Sequence, residues 1–148
     1  MNLEIKIKQL EGVSEEYLPR YMSEGASGMD LFATIETVKN LEVGQRALIP
    51  CGFCLEMPKG TEAQIRPRSG LAIKHGITCL NTPGTIDSDY RGQIQVILIN
   101  LGQENFKIEP GMRIAQMVFQ RIEQVVLKPI QNLAESSRSE GGFGSTGH

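Results

Sequence analysis

Four side chains that could do chemistry lie close together in residues 81–92, which read Asn-Thr-Pro-Gly-Thr-Ile-Asp-Ser-Asp-Tyr-Arg-Gly. They are the two carboxylates of Asp87 and Asp89, the phenol of Tyr90 and the guanidinium of Arg91. An exposed carboxylate can orient a water molecule and take its proton. Asp and Tyr are also common in plain turns, where Asp bonds to its own backbone. Taken alone, the segment favours a structural turn and does not distinguish Asp87 from Asp89 as a base.

A second candidate site lies in residues 66–76, where a predicted strand runs into Pro67. We expect Ser69 to cap a short helix that Gly76 ends. The first backbone amides of a helix have no internal partners. Beside Arg68 and the Ser69 hydroxyl, these amides would form an anion site suited to phosphate. An ordinary capped turn with a surface arginine is the alternative interpretation.

Two single residues carry weaker signals. Asp30 stands at the entry of a predicted strand, residues 31–38, just after Gly28, which indicates a bulge or a tight approach. Gln116 lies on a predicted strand over residues 111–119 and can face a pocket. A turn aspartate and a surface glutamine are the plain alternatives.

The last fifteen residues, 134–148, are dominated by Ser, Gly and Glu. Such a segment buries too little apolar surface to fold alone, so we predict a β domain over residues 1–133 and a flexible arm over 134–148. Its glycines let backbone amides curl round an anion. Ser145 and Thr146 add hydroxyl donors, and Phe143 offers a flat face for a base. At about 3.3 Å per residue, the arm spans roughly 50 Å and can reach another subunit. A frayed terminus is the alternative.

Short strands separated by Gly and Pro turns are expected to position these residues. The apolar runs 77–80 and 94–101 flank the central segment and predict a hairpin that turns it outward. Residues 3–8 alternate apolar and charged side chains, which predicts a half-buried strand. Residues 11–24 are irregular and are expected to form a loop. Further predicted strands span residues 46–49, 53–57, 61–65 and 93–101, and residues 125–130 are expected to close the ordered part. The pattern is typical of an all-β sandwich or jelly roll.

Composition excludes several classes of protein. With 148 residues, 15 Lys and Arg against 17 Asp and Glu, and no Trp, the chain suits one domain. It offers neither a basic stripe nor stacking platforms for nucleic acid. The N-terminus has no apolar signal region, and no apolar run approaches a membrane span. We therefore expect a soluble cytoplasmic protein that binds neither nucleic acid nor membranes.

The three cysteines include a C-x-x-C pair, Cys51 and Cys54. A redox pair or half of a zinc site is a weak interpretation, because positions three apart on a strand face opposite ways. An odd count without a secretion signal also argues against a disulfide framework. We expect small buried hydrophobic side chains here, and we expect His75 to be structural.

Five stretches, in order and spacing, resemble the five motifs of the trimeric deoxyuridine triphosphate nucleotidohydrolase (dUTPase) family. The most specific motif is Gly-Thr-Ile-Asp-x-x-Tyr-Arg-Gly in the predicted hairpin. The stretches are residues 26–33, 67–72, 81–96, 113–119 and the glycine-rich tail through Gly147. One departure is visible, since Arg138 is followed by Ser139 and Glu140 where the family often has Arg-Gly.

This resemblance implies an all-β jelly-roll barrel or sandwich with one short helix after Pro-Arg-Ser-Gly and a flexible C-terminal tail. It implies a homotrimer with sites at subunit interfaces, where dUTP and water give dUMP and pyrophosphate with Mg²⁺. The reaction would keep uracil out of DNA and supply dUMP for thymidylate synthesis. Direct attack by water is the simpler mechanism, because the motifs hold no covalent nucleophile.

Roles for individual residues also follow from the resemblance. It selects Asp87 as the carboxylate that activates water, places Tyr90 under the deoxyribose, and lets Asp30 hold hydrated Mg²⁺ through water. The implied substrate-binding residues are Arg68, Ser69, Gly70, Asn81, Thr85, Ile86, Tyr90, Gln116, Arg138, Phe143, Gly144, Ser145 and Thr146. Two rivals share the architecture: a deoxycytidine triphosphate deaminase, which would release ammonia, and a non-catalytic trimeric jelly roll that regulates by binding.

Overall fold

The computed structural model describes residues 3–142. Within this range the chain forms twelve β-strands and one short α-helix, with a 3-10 turn at Glu15–Tyr17. The strands are β1 Lys6–Gln9, β2 Arg20–Tyr21, β3 Met29–Phe32, β4 Lys39–Leu41, β5 Arg46–Pro50, β6 Phe53–Glu56, β7 Thr61–Arg66, β8 Ile77–Cys79, β9 Gly84–Asp87, β10 Gln95–Asn100, β11 Phe106–Ile108 and β12 Arg113–Arg121. The helix, α1, spans Ser69–His75 and follows Pro-Arg-Ser-Gly as expected.

The strands pair into four small antiparallel sheets. The largest has the order β2-β3-β12-β7-β9, and a three-stranded sheet has the order β5-β10-β8. The pairs β1-β6 and β11-β4 complete the set. This content confirms the all-β prediction, with one helix in the described range.

Side chains alternate between the core and the outside because successive residues of a strand point to opposite faces. On β10, Val96 and Leu98 are buried while Ile97 and Ile99 are half-buried on the outer face. The core also contains a buried polar residue, Asn100. Its amide donates to the carbonyls of Leu41 and Glu104, and its carbonyl accepts the Gly102 N–H. Buried polar groups require such partners, so Asn100 ties the end of β4 to two positions of the loop after β10.

The central segment is more than the tip of a hairpin. As predicted, β8 and β10 pair antiparallel, with Cys79 opposite Leu98. Between them, however, Gly84–Asp87 forms β9 and pairs with β7 in the five-stranded sheet. The connection therefore crosses from one sheet to the other, because the run Thr85-Ile86 favours extended backbone and β7 offers a free edge.

Several predicted boundaries differ from the structure. The strand predicted over residues 31–38 is β3, which ends at Phe32, and the loop predicted over residues 11–24 contains β2. The N-terminal strand begins at Lys6, and Ile7 is 43% exposed rather than turned inward. Burial could not be inferred from alternation alone in a strand that pairs only with β6.

The last strand ends at Arg121, and the described residues beyond it, through Gly142, contain no helix or strand. Residues 125–130, expected to close the ordered part, are exposed, with Val126 at 94% and Leu127 at 86%. The division into a domain over residues 1–133 and an arm stays a prediction. Across residues 3–142, no helix is long and apolar enough to cross a membrane.

Candidate functional site

The central segment, residues 81–92, lines a cleft of about 250 Å³. That volume is near the lower end of ligand pockets, roughly 300–1,000 Å³. Five residues implied by the resemblance border it, together with four that the sequence did not indicate. They are Asn81, Thr85, Ile86, Asp87 and Tyr90, then Leu48, Gln93, Gln95 and Ile97. The structure thus brings the implied base-binding, sugar-binding and catalytic residues to one place.

Asp87 is the last residue of β9 and is exposed. The Tyr90 N–H donates to its carbonyl oxygen at 3.1 Å, which closes a tight turn over Ser88 and Asp89. Asp87 borders both the 250 Å³ cleft and the neighbouring cleft, whereas Asp89 borders only the latter of these two. Of the two aspartates, only Asp87 therefore lines the 250 Å³ cleft, and its role as the base stays a prediction.

A second group of residues, the arginine cluster, consists of Asp30, Arg68 and Arg113. Arg113 Nη1 donates to Asp30 Oδ2 at 3.1 Å, and Arg68 Nε lies 3.7 Å from Asp30 Oδ1. Arg68 Nη1 also donates to the Arg113 carbonyl at 3.0 Å. The Asp30 side chain is only 14% exposed, so the two guanidiniums compensate its buried charge. The cluster holds Arg68 in a fixed direction with positive charge in excess, as an anion site requires.

Gln116 is held beside this cluster. It lies opposite Asp30 on β3 and opposite Arg66 on β7, and its Nε2 donates to the Pro67 carbonyl at 3.0 Å. A Cβ built on Gly28 would lie 2.8 Å from Gln116 Oε1, so the tight approach predicted at Gly28 is confirmed. Any side chain at position 28 would push Gln116 out of place.

Helix α1 begins beside the same cluster. Its N-cap is Arg68, with extended backbone and no side-chain capping bond, so the expectation that Ser69 caps the helix is wrong. Ser69 is the first helical residue, and both Ser69 and Gly70 are exposed. The Ser69 hydroxyl and the backbone of both residues are therefore open to solvent. Gly76 ends the helix in a left-handed conformation, φ 67°, as predicted.

The two groups stand at opposite ends of β7. Asp87 is opposite Glu62, whereas Gln116 is opposite Arg66, and β9 and β12 lie on different sides of β7. At about 3.3 Å per residue and about 4.8 Å per strand, their backbones are roughly 16 Å apart. Within one subunit the two groups of residues are therefore separate.

The family model for dUTPase matches residues 15–147. The deoxyuridine 5'-triphosphate nucleotidohydrolase of Thermoanaerobacter sp. (strain X514) is 54% identical over 147 residues, covering 99% of both chains. The enzyme of that name from Rickettsia felis is also 54% identical, covering 97% of both chains. This chain belongs to the dUTPase family. The resemblance drawn from the motifs is thereby confirmed.

Solved dUTPase structures have the same fold. The Staphylococcus bacteriophage 80alpha dUTPase solved with dUpNHpp is 26% identical, with a TM-score of 0.83 over 98% of this chain and 99% of that one. A variant of that protein with dUpNHpp is 24% identical, with a TM-score of 0.86 and the same coverage. These likenesses agree with the predicted all-β jelly roll.

The C-terminal arm is described only in part. Arg138 is exposed, and its Nε donates to the Gly141 carbonyl at 2.7 Å, so its visible contact is within its own turn. Phe143, Gly144, Ser145 and Thr146 lie outside the described residues. Their implied role in covering the site, like that of Arg138, stays a prediction.

The cysteines and His75 have structural surroundings. Cys51 and Cys79 are buried, and burial raises the pKa of the Cys51 thiol to about 12 and that of Cys79 to about 11. Neutral thiols at physiological pH are poor nucleophiles and metal ligands. All three cysteines are free thiols, and Cys54 is only half-buried, so the expectation of a buried side chain is wrong at that position. The His75 ring packs against Phe106 with 5.1 Å between centroids, which supports its structural interpretation.

Sequence reasoning missed Arg113 and the outer wall of the cleft. Arg113 opens the fourth motif, but its pairing with Asp30 depends on the register of β12 against β3. Leu48 and Ile97 are opposite each other on β5 and β10, and both face outward. Alternation predicted two faces for each strand, but it could not tell which face meets a ligand.

Proposed function

We propose that this chain hydrolyses dUTP to dUMP and pyrophosphate, the activity for which its relatives are named. The observation that carries the proposal is the gathering of Asn81, Asp87 and Tyr90 around one cleft, in a chain of the dUTPase family. Such an activity limits dUTP available to DNA synthesis and supplies dUMP.

In the proposed mechanism, Asp87 orients a water molecule and accepts its proton as the water attacks the α-phosphorus. The bond from that phosphorus to the bridging oxygen breaks, and pyrophosphate leaves with the electron pair. The turn to Tyr90 fixes the Asp87 backbone, and its carboxylate is exposed, so a water molecule can reach it as a general base requires. Tyr90 packs beneath the deoxyribose and leaves no room for a 2′-hydroxyl. Asn81 and the backbone around Thr85 and Ile86 hold the base.

The arginine cluster and α1 bind the phosphates in this proposal. Arg68 is already paired through Nε and Nη1, so its direction is set before substrate arrives. Preorganised donors stabilise developing charge without reorganising during the reaction. Ser69, Gly70 and Gln116 add donors from α1 and β12. The arm, through Arg138 and residues 143–146, closes over the site and excludes water.

The donor set fits a magnesium ion carried by the substrate. Among the described residues, no three His, Cys, Asp or Glu side chains gather into a metal cage. Mg²⁺ is commonly held by phosphate oxygens, waters and only one or two carboxylates. Asp30 is the carboxylate that the resemblance names, and since its two oxygens already face Arg68 and Arg113, it would hold the ion only through water. A dUTPase of phage phi11 from S. aureus was described with a structural Mg(II) ion. The bound ion would neutralise triphosphate charge.

We also propose a homotrimer in which each site combines half-sites from different subunits. The roughly 16 Å between Asp87 and Gln116 is too far for both to contact one scissile phosphate. The outer face of the sheet β5-β10-β8 carries an apolar patch, with Leu48 53% and Leu80 47% exposed and Ile97 and Ile99 beside them, bordered by polar side chains such as Arg46 and Gln95. Exposed apolar faces of this kind mark protein interfaces.

The segment after β12 supports association too. Val125, Val126 and Leu127 are between 75% and 94% exposed in the single subunit. When another chain covers an extended apolar segment, the apolar surface is removed from water, and this burial stabilises the association. In the proposed trimer this segment runs over a neighbouring subunit and carries the arm to that subunit's site.

Pyrophosphate release tests the activity directly. Purified protein with Mg²⁺ is mixed with dUTP, dCTP or UTP in separate reactions, and pyrophosphate and ammonia are measured. We expect rapid pyrophosphate release from dUTP alone. Ammonia from dCTP would assign the protein to the deaminases. Tight dUTP binding without any product would show that the protein binds the nucleotide but does not hydrolyse it.

Mixing two inactive variants tests the shared site. Asp87→Asn disables the half-site on the central segment, and Arg68→Ala disables the half-site at the arginine cluster. Subunits mixed one to one after mild dissociation should regain about a quarter of wild-type activity, because that share of interfaces joins two intact halves. Each variant incubated alone through the same procedure is the control. No recovery from mixed trimers would place the whole site within one subunit.

A charge on the apolar face tests the assembly. Ile99→Glu should lower the mass measured by light scattering from three chains to one while the circular dichroism spectrum is retained. Val43→Glu is the matched control, because Val43 is 49% exposed in a turn outside the face. An unchanged mass for Ile99→Glu would place the interface elsewhere.

A further inference from the structure

Tyr90 is fixed in direction although it is 44% exposed. Its hydroxyl donates to the Gln93 carbonyl at 3.1 Å, and its backbone N–H donates to the Asp87 carbonyl. An exposed aromatic side chain without such bonds can move between rotamers. The orientation of the ring is therefore set by the turn back to Asp87 on one side and by Gln93 on the other.

Gly92 leaves the space that this ring occupies. A Cβ built on Gly92 would lie 2.3 Å from the Tyr90 hydroxyl oxygen and 2.5 Å from its Cζ. Gly92 is not among the glycines with positive φ, so its backbone does not itself demand glycine. The requirement is steric. Because the Tyr90 ring is partly exposed, a methyl group at position 92 would displace the ring rather than unfold the strands.

Arg91 fixes the backbone of the same turn. Its Nη1 donates to the Ser88 carbonyl at 2.8 Å and to the Tyr90 carbonyl at 3.1 Å. Hydrogen bonds from a charged donor are about twice as strong as neutral ones. The turn between Asp87 and Tyr90 is thus closed from outside by one guanidinium.

We propose that Gly92 and Arg91 are positioning residues for nucleotide discrimination. Gly92 permits the Tyr90 ring to lie flat along the chain, and Arg91 holds the turn that spaces this ring from the Asp87 carboxylate. The proposal rests on the proposed function and deepens it. Selection of deoxyribose over ribose then depends on a residue without a side chain as well as on Tyr90.

Gly92→Ala tests the steric part. The steady-state constants for dUTP and UTP are measured together with the unfolding midpoint. The preference for dUTP in kcat/KM should fall roughly tenfold while the midpoint is unchanged, because a pocket that has lost its fitted wall discriminates poorly. Gly25→Ala is the matched control, because nothing lies within 4 Å of its Cβ position and its φ is not positive. It should keep the wild-type preference.

A spectroscopic measurement separates this inference from the proposed activity. The chain has three tyrosines, so fluorotyrosine labelling gives three ¹⁹F resonances, and Tyr90→Phe identifies that of Tyr90. Gly92→Ala should shift this resonance even if the wild type releases no pyrophosphate. Without wild-type activity, the proposed function fails while the ring's displacement is still measured. An unmoved resonance, or a moved one with unchanged discrimination in an active enzyme, overturns the inference.

Arg91→Ala and Arg91→Lys test the second part. The alanine variant should lower kcat/KM for dUTP roughly tenfold or more by loosening the turn, since small misplacements of reacting groups are costly, and it should lower the preference for dUTP over UTP in the same measurement. Lysine should restore part of the loss, because an ammonium can also donate to two carbonyls. Lys107→Ala, on the exposed side of β11, is the control for lost surface charge. Wild-type kinetics in Arg91→Ala would remove Arg91 from the proposal.

Discussion

The arginine cluster and the central segment are built in different ways. Asp30, Arg68 and Arg113 lie on or beside paired strands, are half-buried, and are joined by ion pairs between residues far apart in sequence. The turn at the end of the central segment, residues 88–92, is largely exposed, and its side-chain hydrogen bonds join residues only one to three positions apart. Asp87 itself ends β9, which pairs with β7, so the sheet supports both groups and only residues 88–92 depend on their own turn.

This difference predicts different consequences of substitution. A change in the cluster leaves a partly buried charge without its partner, so it should affect both stability and binding. A change at an exposed turn position should affect chemistry or specificity while the fold persists. Variants of the two half-sites can therefore be compared by measuring unfolding and turnover side by side.

Asp87→Asn should have the largest effect on turnover. Loss of a general base lowers kcat by about 10²–10⁴-fold, while the amide keeps the shape needed to bind dUTP. Because Asp87 is exposed, the unfolding midpoint should not change. Rapid-quench turnover and calorimetric binding are the measurements. Asp89→Asn is the matched control on the same turn, and it should retain activity. Near-normal turnover by Asp87→Asn would contradict the assignment.

Deletion of residues 134–148 should have the next largest effect. The described part of this segment contains no strand and its residues are largely exposed, so a folded trimer should remain. Activity should fall roughly 10²-fold or more, as expected when a closing element no longer orders the reactants. Light scattering and pyrophosphate release measure the two results. If truncation unfolds the protein, the segment belongs to the domain and not to an arm.

Asp30→Asn should affect the stability of the fold as well as substrate binding, unlike the changes at exposed positions. It removes the carboxylate that pairs with Arg113 and Arg68, and should lower the free energy of unfolding by about 1–3 kcal/mol. KM for dUTP should rise because Arg68 loses its fixed direction. Glu56→Gln is the control, since it breaks an exposed ion pair with Lys6 and should leave the unfolding midpoint unchanged. Equal unfolding curves for both variants would show that the cluster does not stabilise the fold.

The two half-sites also differ in how far the sequence could predict them. The turn residues of the central segment are local, so their position between two strands was predictable from Pro83, Gly84 and the flanking apolar runs. The crossing of β9 from the sheet that holds β8 and β10 to the edge of β7 was not predictable, because it depends on which strand has a free edge. The family motifs named Asp30 and Arg68, but the role of Arg113 between them required the register of β3 and β12.

Surface exposure was the property that sequence patterns predicted least. Alternation indicated a strand at β1, and turn spacing and apolar runs indicated β5 and β10, yet Ile7, Leu48 and Ile97 face outward. A chain that associates buries two kinds of apolar face, one in its core and one against its partner. Period-2 patterns do not separate these two kinds, so the outer face became visible only in the structure.

Tyr90→Ala should have the smallest effect on dUTP turnover and sharpens the comparison most. Removing the ring opens space for a 2′-hydroxyl, so UTP should become a substrate. A binding pocket that excludes an added hydroxyl by shape alone discriminates by only about 10²-fold. In Tyr90→Ala the preference for dUTP over UTP should therefore fall towards unity. Tyr90→Phe keeps the ring but loses the bond to Gln93, so it should retain most of the preference. The ratio of kcat/KM for dUTP and UTP measures both.

If Tyr90→Ala still rejects UTP while Arg68→Ala accepts it, the residue that excludes the ribose 2′-hydroxyl lies in the arginine cluster. The central segment would then supply the base pocket and Asp87 alone. If Tyr90→Ala accepts UTP and Asp30→Asn does not, specificity belongs to the turn and phosphate binding to the sheet. That division follows from the physical construction of each half, since an exposed turn can be shaped around a sugar without disturbing the ion pairs that hold Arg68.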